Sequence, residues 1–224
     1  MSLYPVNLKI ENRPCLVIGG GGVALRKVRS LLAAEARVRL VSPAILPELR
    51  EVVNNNGVEW FARGYVEGDL KGMYLAFAAT NDRGVQELIR READKCGVLL
   101  NSADDPRGSH FHVPAHFRRG RMLITVSTEG GSPGLSKKIR EQLEVEIVPG
   151  YGMVVDLLFM IRESIVGGAG DSTVNKELFS RLFAADIVEL ILQEDWFALQ
   201  MLLLEELPEQ VDAVSLLKGF LDAH

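Results

Sequence analysis

Three short stretches of the chain carry residue types that could do chemistry. The first, Gly19-Gly20-Gly21-Gly22-Val23-Ala24, fits the pattern Gly-x-Gly-x-x-Ala. In that pattern the first glycine permits a tight turn, and the second lets backbone N–H groups approach a pyrophosphate at a helix N-terminus. The small third residue lets helix and strand pack closely. The second stretch, Asn101-Ser102-Ala103-Asp104-Asp105-Pro106, brings two carboxylates together, and a carboxylate in a crevice can act as general acid or base. Its plainer reading is a turn before Pro106 in which the acids bond backbone N–H groups. The third is the group His110, His112 and His116. Pro114 falls between the last two and breaks any shared helix face, so no metal site is expected there.

Positioning these residues requires elements, and the apolar pattern supplies them. Arg13–Ile18 reads as a buried parallel strand running into the glycines, and Val23, Leu25, Val28, Leu31 and Leu32 follow at helical spacing, with Arg26, Lys27 and Arg29 left for another face. Strands are expected at 38–41, 58–62, 73–79 and 98–100. Helices are expected at 46–55, ended by Asn54-Asn55-Asn56-Gly57, and at 82–95, capped by Gly97. Strand and helix alternate as in a Rossmann-like, doubly wound α/β domain over residues 1–113. There the loop holding Asp104 follows a strand at its carboxyl end, where ligands of open sheets bind. Beyond it a strand is expected at 121–128, then a helix with Ser132 as N-cap, Pro133 in its first turn and Leu135, Ile139 and Leu143 as its apolar stripe. From about Gly150 only helical periodicity remains, interrupted by Val166-Gly-Gly-Ala-Gly-Asp171.

Composition limits the function classes. With 47% hydrophobic and 25% charged residues, the chain is that of a soluble globular protein. It has neither a signal-like N-terminus nor an apolar run of membrane-spanning length, so a cytoplasmic setting is expected. Cys15 and Cys96 stand too far apart in sequence for a Cys-x-x-Cys pair. None of the tyrosines has a lysine four residues later, and no Gly-x-x-x-x-Gly-Lys-Ser/Thr loop occurs, which removes short-chain dehydrogenase and kinase-like readings. The second strand ends Val41-Ser42-Pro43 without the acid that often holds a ribose, and Arg39 is near, so NAD and NADP stay open. The net charge of −5 divides into +7 for residues 1–140 and −12 for 141–224. The basic runs Arg118-Arg119-Gly120-Arg121 and Lys137-Lys138-Ile139-Arg140 lack interleaved aromatics, so nucleic acid is not the expected partner. They read as solvated faces or as contacts to an acidic small molecule.

Several blocks taken together resemble a known family. They are Cys15-Leu-Val-Ile-Gly-Gly-Gly-Gly-Val-Ala-Leu-Arg-Lys27, Ala78-Ala-Thr-Asn-Asp82, Asn101-Ser-Ala-Asp-Asp-Pro106, and Val126-Ser-Thr-Glu-Gly-Gly-Ser-Pro133 followed by Leu135 and Arg140. In this order and spacing they resemble the precorrin-2 dehydrogenase / sirohydrochlorin ferrochelatase family, the N-terminal part of siroheme synthases. The resemblance implies NAD-dependent oxidation of precorrin-2, an octacarboxylic tetrapyrrole, to sirohydrochlorin, with Fe2+ insertion giving siroheme in some members. It implies that Gly19, Gly21, Gly22 and Val23 hold the pyrophosphate, that Ser42, Pro43 and Ala44 border the adenosine ribose, and that Thr80 and Asn81 face the nicotinamide. Asp104 matches the family's acidic residue, as general base; Asp105, where relatives often have a small residue, leaves open which acid acts. Asn101, Ser127 and Thr128 are implied as substrate contacts. The resemblance further implies a homodimer formed through residues 114–148, followed by a helical C-terminal domain over 149–224. No resident metal is implied. A competing reading is a non-catalytic NAD-sensing module with the acidic tail as its output surface; it gives no role to the 101–106 and 130–133 blocks.

Overall fold

The computed structural model describes residues 2–103, 105–166 and 172–224. The Asp104 assignment and positions 167–171 of the glycine-rich interruption therefore lie outside the described residues. The chain forms two compact units, Met1–Val113 and Pro114–His224.

The first unit is a parallel five-stranded sheet. Its elements are β1 (Pro14–Ile18), α1 (Gly22–Leu32), β2 (Arg37–Val41), α2 (Pro47–Asn55), β3 (Glu59–Phe61), β4 (Leu75–Ala78), α3 (Arg83–Cys96) and β5 (Leu99–Ser102). Strand order is β3-β2-β1-β4-β5, so the winding reverses between β1 and β4. Registers such as Val17↔Leu40, Val17↔Phe77 and Phe77↔Asn101 bring the carboxyl ends of β1, β4 and β5 to one edge. That reversal point is where open α/β sheets bind ligands. β1 and β4 are buried along nearly their whole length because helices cover both faces, which is why they read as continuous apolar runs. One face packs on α1 and α2 through Val17, Leu40, Phe77, Val28 and Leu49, the other on α3 through Ile18, Ala76, Leu100 and Ile89. Gly97 ends α3 in the left-handed conformation (φ 68°), and Asp82 caps its start by accepting from Val85 N–H at 3.0 Å. The buried Glu92 of α3 fixes the loop after β3, accepting from Tyr65 O–H (2.5 Å) and from the N–H groups of Gly68 (2.9 Å) and Leu70 (3.2 Å). Burial first, and then this carboxylate, push the Tyr65 hydroxyl well above its ordinary range.

The second unit begins with an antiparallel hairpin, β6 (Ala115–Arg119) and β7 (Met122–Val126), turning at Gly120 (φ 52°). Strand β6 is a correction to the sequence reading, which placed a strand only at 121–128. Only Phe117 of its five residues is buried, so pairing with β7 rather than an apolar run defines it. Helix α4 (Pro133–Glu146) starts at Ser132, whose side chain accepts from Leu135 N–H. Its C-terminal carbonyls are bonded by the Arg119 guanidinium, at Glu144 O (2.8 Å) and Ile147 O (3.2 Å). Helices α5 (Gly150–Val166), α6 (Ser172–Ala184), α7 (Ile187–Leu192), α8 (Trp196–Glu206) and α9 (Ala213–Asp222) then surround an apolar core of Leu157, Ile161, Leu182, Ile191, Leu203 and Phe220. Among the described residues no helix is long and apolar enough to cross a membrane.

Dividing the chain at Val113 relocates the charge. Residues 1–113 hold 15 Lys+Arg against 13 Asp+Glu, +2, and residues 114–140 hold 6 against 1, +5. Most of the basic excess therefore belongs to the hairpin and α4, and little of it to the sheet unit.

Candidate functional site

The four glycines after β1 are of two kinds. An added Cβ on Gly19 (φ 124°) would collide with the carbonyl oxygen of Ala79, and one on Gly20 with that of Ala44. Gly21 and Gly22 face open space. The first pair is thus glycine because protein backbone passes over it, and the second pair leaves the start of α1 open to approach. Gly21 is the N-cap, in extended conformation and without a side-chain cap. The first-turn N–H groups of α1 have no intrahelical acceptor, and the helix dipole adds partial positive charge there. Ala24 is fully buried against the sheet, the close packing its small side chain allows. This cradle fits a pyrophosphate, with Val23 at its exposed rim. Gly20, to which the sequence reading gave no role, also ties down the neighbouring loop, its carbonyl accepting from Leu46 N–H (3.0 Å).

That loop holds Ser42, Pro43 and Ala44. Ser42 is buried and its hydroxyl donates to Ala44 O (2.6 Å), while Trp60 Nε1 donates to Ser42 O (3.0 Å). Pro43 and Ala44 form the exposed border, and Ser42 braces it from beneath. Beyond β4, Thr80 O accepts from Gln86 Nε2 (2.5 Å) and Thr80 Oγ1 from Asp82 N–H (3.3 Å), which leaves Asn81 exposed at the start of α3.

At β5 the side chains alternate between the faces. Asn101 is buried and donates through Nδ2 to Phe111 O (2.9 Å), so its amide holds the returning segment. Ser102 is buried toward the other face, and its hydroxyl has no hydrogen-bond partner among the described residues. Residues 109–110 then cover the free edge of β5. His110 N–H donates to Leu100 O (2.8 Å), Leu100 N–H donates to His110 Nδ1 (3.1 Å), and Ser109 Oγ accepts from Ser102 N–H (2.9 Å). His110 Nδ1 also lies 3.2 Å from Val98 O, and its Nε2 lies 2.9 Å from Asp94 Oδ1. Among the described residues no cluster of three or more His, Cys, Asp or Glu could hold a metal ion.

One functional group escaped sequence reasoning. Helical spacing left Lys27 for another face than the apolar stripe, yet it is half-buried with its ammonium 5.1 Å from the centroid of the Phe77 ring, which in turn meets Phe111 edge-on. Burial, with a smaller contribution from Arg26, brings its pKa down to about 8. No pattern in the sequence distinguishes it from Arg26 or Arg29.

The remaining assigned residues stand in the second unit. Thr128 Oγ1 donates to Ser132 O (3.1 Å), accepts from Ser132 N–H (3.0 Å) and meets Ser136 Oγ (3.0 Å), organising the start of α4. Ser127 Oγ accepts from Glu129 N–H (3.1 Å).

Known proteins resemble this chain in sequence and fold. A family model described as "Putative NAD(P)-binding" matches residues 6–115. Siroheme synthase 1 of Aeromonas salmonicida is 33% identical over 186 residues, 83% of this chain and 40% of that protein. The siroheme synthase of Chromobacterium violaceum is 32% identical over 195 residues, 87% of this chain and 42% of its own length. The solved structure of SirC, precorrin-2 dehydrogenase, superposes with a TM-score of 0.71 at 27% identity, covering 86% of this chain and 98% of that one. The chain is similar to the precorrin-2 dehydrogenase / siroheme synthase family. It spans about two-fifths of the length of the curated siroheme synthases it matches. In this chain the glycine turn, the loop after β2 and the loop after β4 all meet at the carboxyl edge of the sheet.

Proposed function

We propose that this chain oxidises precorrin-2 to sirohydrochlorin with NAD, as a step of siroheme biosynthesis. The observation that carries the reading is the open start of α1 at the sheet's winding reversal, in a chain that aligns with SirC along nearly all of SirC's length. Gly19, Gly21, Gly22 and Val23 would hold the pyrophosphate, Pro43 and Ala44 would border the adenosine ribose over the brace of Ser42, and Thr80 and Asn81 would face the nicotinamide. When bound, the nicotinamide supplies a hydride acceptor. The macrocycle gives up a proton with each hydride, and Asp104 is the base we assign to it, three residues after Asn101, whose amide donates to Phe111 O. Arg39 supports NAD over NADP, because its guanidinium already pairs with Glu59 (2.5 Å) across β2 and β3.

Ser127 is the hydroxyl of the second unit that we assign to the substrate, with Thr128 fixing the turn beneath it. Two copies would pair through residues 114–148. The apolar side chains Leu135, Val145 and Val148 of that region are exposed in the single chain, and the only fully buried residue of α4 is Ser136. Fe2+ is a further substrate where chelation follows oxidation.

The test is an anaerobic assay of the purified protein with precorrin-2 and NAD, with and without Fe2+. Formation of NADH and sirohydrochlorin is expected, and siroheme in the Fe2+ arm marks chelation. Tight NAD binding without NADH formation would overturn the dehydrogenase and leave a sensing module.

A further inference from the structure

A cavity of about 490 Å3 opens beside the carboxyl end of β5, against the first turns of α3. Of its lining residues, the proposed function gives a role only to Asn81. Ser102 is among its lining residues and only 8% exposed, and its hydroxyl is buried without a hydrogen-bond partner among the described residues. A hydroxyl so placed loses its water without gaining a bond, unless a ligand supplies one.

The charges around the cavity are unequal in how far they are satisfied. Arg90 is bonded twice to Glu87 (2.9 and 3.0 Å) and lies 3.5 Å from Asp94, so its charge is matched within α3. Arg83, in the first turn of α3, has no acidic partner among the described residues. Asn81 adds an amide from the loop before the helix, and α3 presents its N-terminal end on this side. Asp105 faces the cavity as its opposing acid, already accepting from Arg107 N–H (3.1 Å). A planar guanidinium, a hydroxyl and an amide around one space form a donor set suited to a carboxylate, which accepts at both oxygens.

We propose that this cavity is a carboxylate subsite, in which Arg83 and Ser102 hold one acidic arm of the tetrapyrrole and thereby fix how the macrocycle faces the sheet edge. The proposal deepens the tetrapyrrole reading and rests on it. Its residues are positioning residues, acting on substrate orientation and affinity.

The experiment has two arms. In steady-state assays, Arg83→Gln should raise KM for precorrin-2 about 10-fold or more and Ser102→Ala about 3-fold, with kcat within about two-fold and KM for NAD unchanged; Arg83→Lys should recover part of the loss. In the binding arm, an air-stable octacarboxylate porphyrin is titrated by fluorescence, with its uncharged octamethyl ester as control. Arg83→Gln should weaken the acid and leave the ester unaffected, while Asp105→Asn, removing the opposing acid, should tighten the acid a few-fold. Wild-type KM together with wild-type porphyrin affinity in Arg83→Gln and Ser102→Ala would overturn the subsite. If the unmodified protein forms no NADH, the dehydrogenase reading fails and the porphyrin arm alone decides the subsite.

Discussion

The two units of the chain bury different kinds of atoms. Among the described residues, the sheet unit encloses Ser42, Glu92, Asn101 and Ser102, whereas the polar residue enclosed by the second unit is Ser136. Each of the first four stands at, or ties down, a loop: Ser42 after β2, Glu92 beneath the loop after β3, Asn101 and Ser102 at the end of β5. Among the described residues the buried core of the helices is aliphatic and aromatic. Buried polar groups cost free energy unless paired, and where paired they fix one conformation. The sheet unit thus spends its buried polar groups on holding loops at a defined edge, while polar contacts of the second unit, such as Arg181–Glu206, lie outside its apolar core.

Substitutions in each unit test that contrast. The largest expected effect is on catalysis: Asp104→Ala should lower kcat for precorrin-2 oxidation by about 100-fold or more with NAD binding retained. Full activity in that variant would move the base to Asp105 or elsewhere. Next comes a matched pair of core changes. Glu92→Ala leaves Tyr65 O–H and two backbone N–H groups without their acceptor and should destabilise the sheet unit by about 3 kcal/mol. Ile161→Ala should destabilise the helical unit by a similar 2–5 kcal/mol through a cavity. Denaturant melts read beside NAD titrations separate them, since only Glu92→Ala should also weaken NAD binding. Equal loss of NAD affinity in both would erase the contrast.

The smallest effect has an unusual sign. Lys27 is held at about 8 against 10.5 for an ordinary lysine, so between these values the unfolded chain binds a proton that the native chain does not. Stability from this group therefore rises as pH goes from 8 to 10.5, and at pH 7 the native state bears the burial of a charge. Lys27→Met should stabilise the protein at pH 7 by about 1–2 kcal/mol, with the gain shrinking above pH 10. A destabilised variant at pH 7 would show that the contact with Phe77 outweighs the burial.

Most of the sheet unit was legible in the sequence because its strands are buried on both faces and its helices carry local caps, Asp82 and Gly97 among them. The glycine turn was legible as a string, but the division of labour within it was not. Only the backbone of Ala79 and Ala44, distant in sequence, explains Gly19 and Gly20. The bonds that Asn101 and Thr128 make to Phe111 O and to Ser132 within the protein were likewise not legible from local pattern. Strand β6 escaped because register, set by a partner strand, leaves no apolar run behind. The burial of Lys27 depends on Phe77, fifty residues away, which no local pattern reports.

The bonds that residues 109–110 make along β5 place a clock on the segment that returns to it. The Leu100 amide is shielded from solvent only while His110 accepts its proton, and the Ser102 amide only while Ser109 does. Deuterium uptake at these two positions therefore counts openings of the 105–111 segment, and a ligand that closes the loop would slow both amides together while leaving Leu16 and Val17 at their core rate.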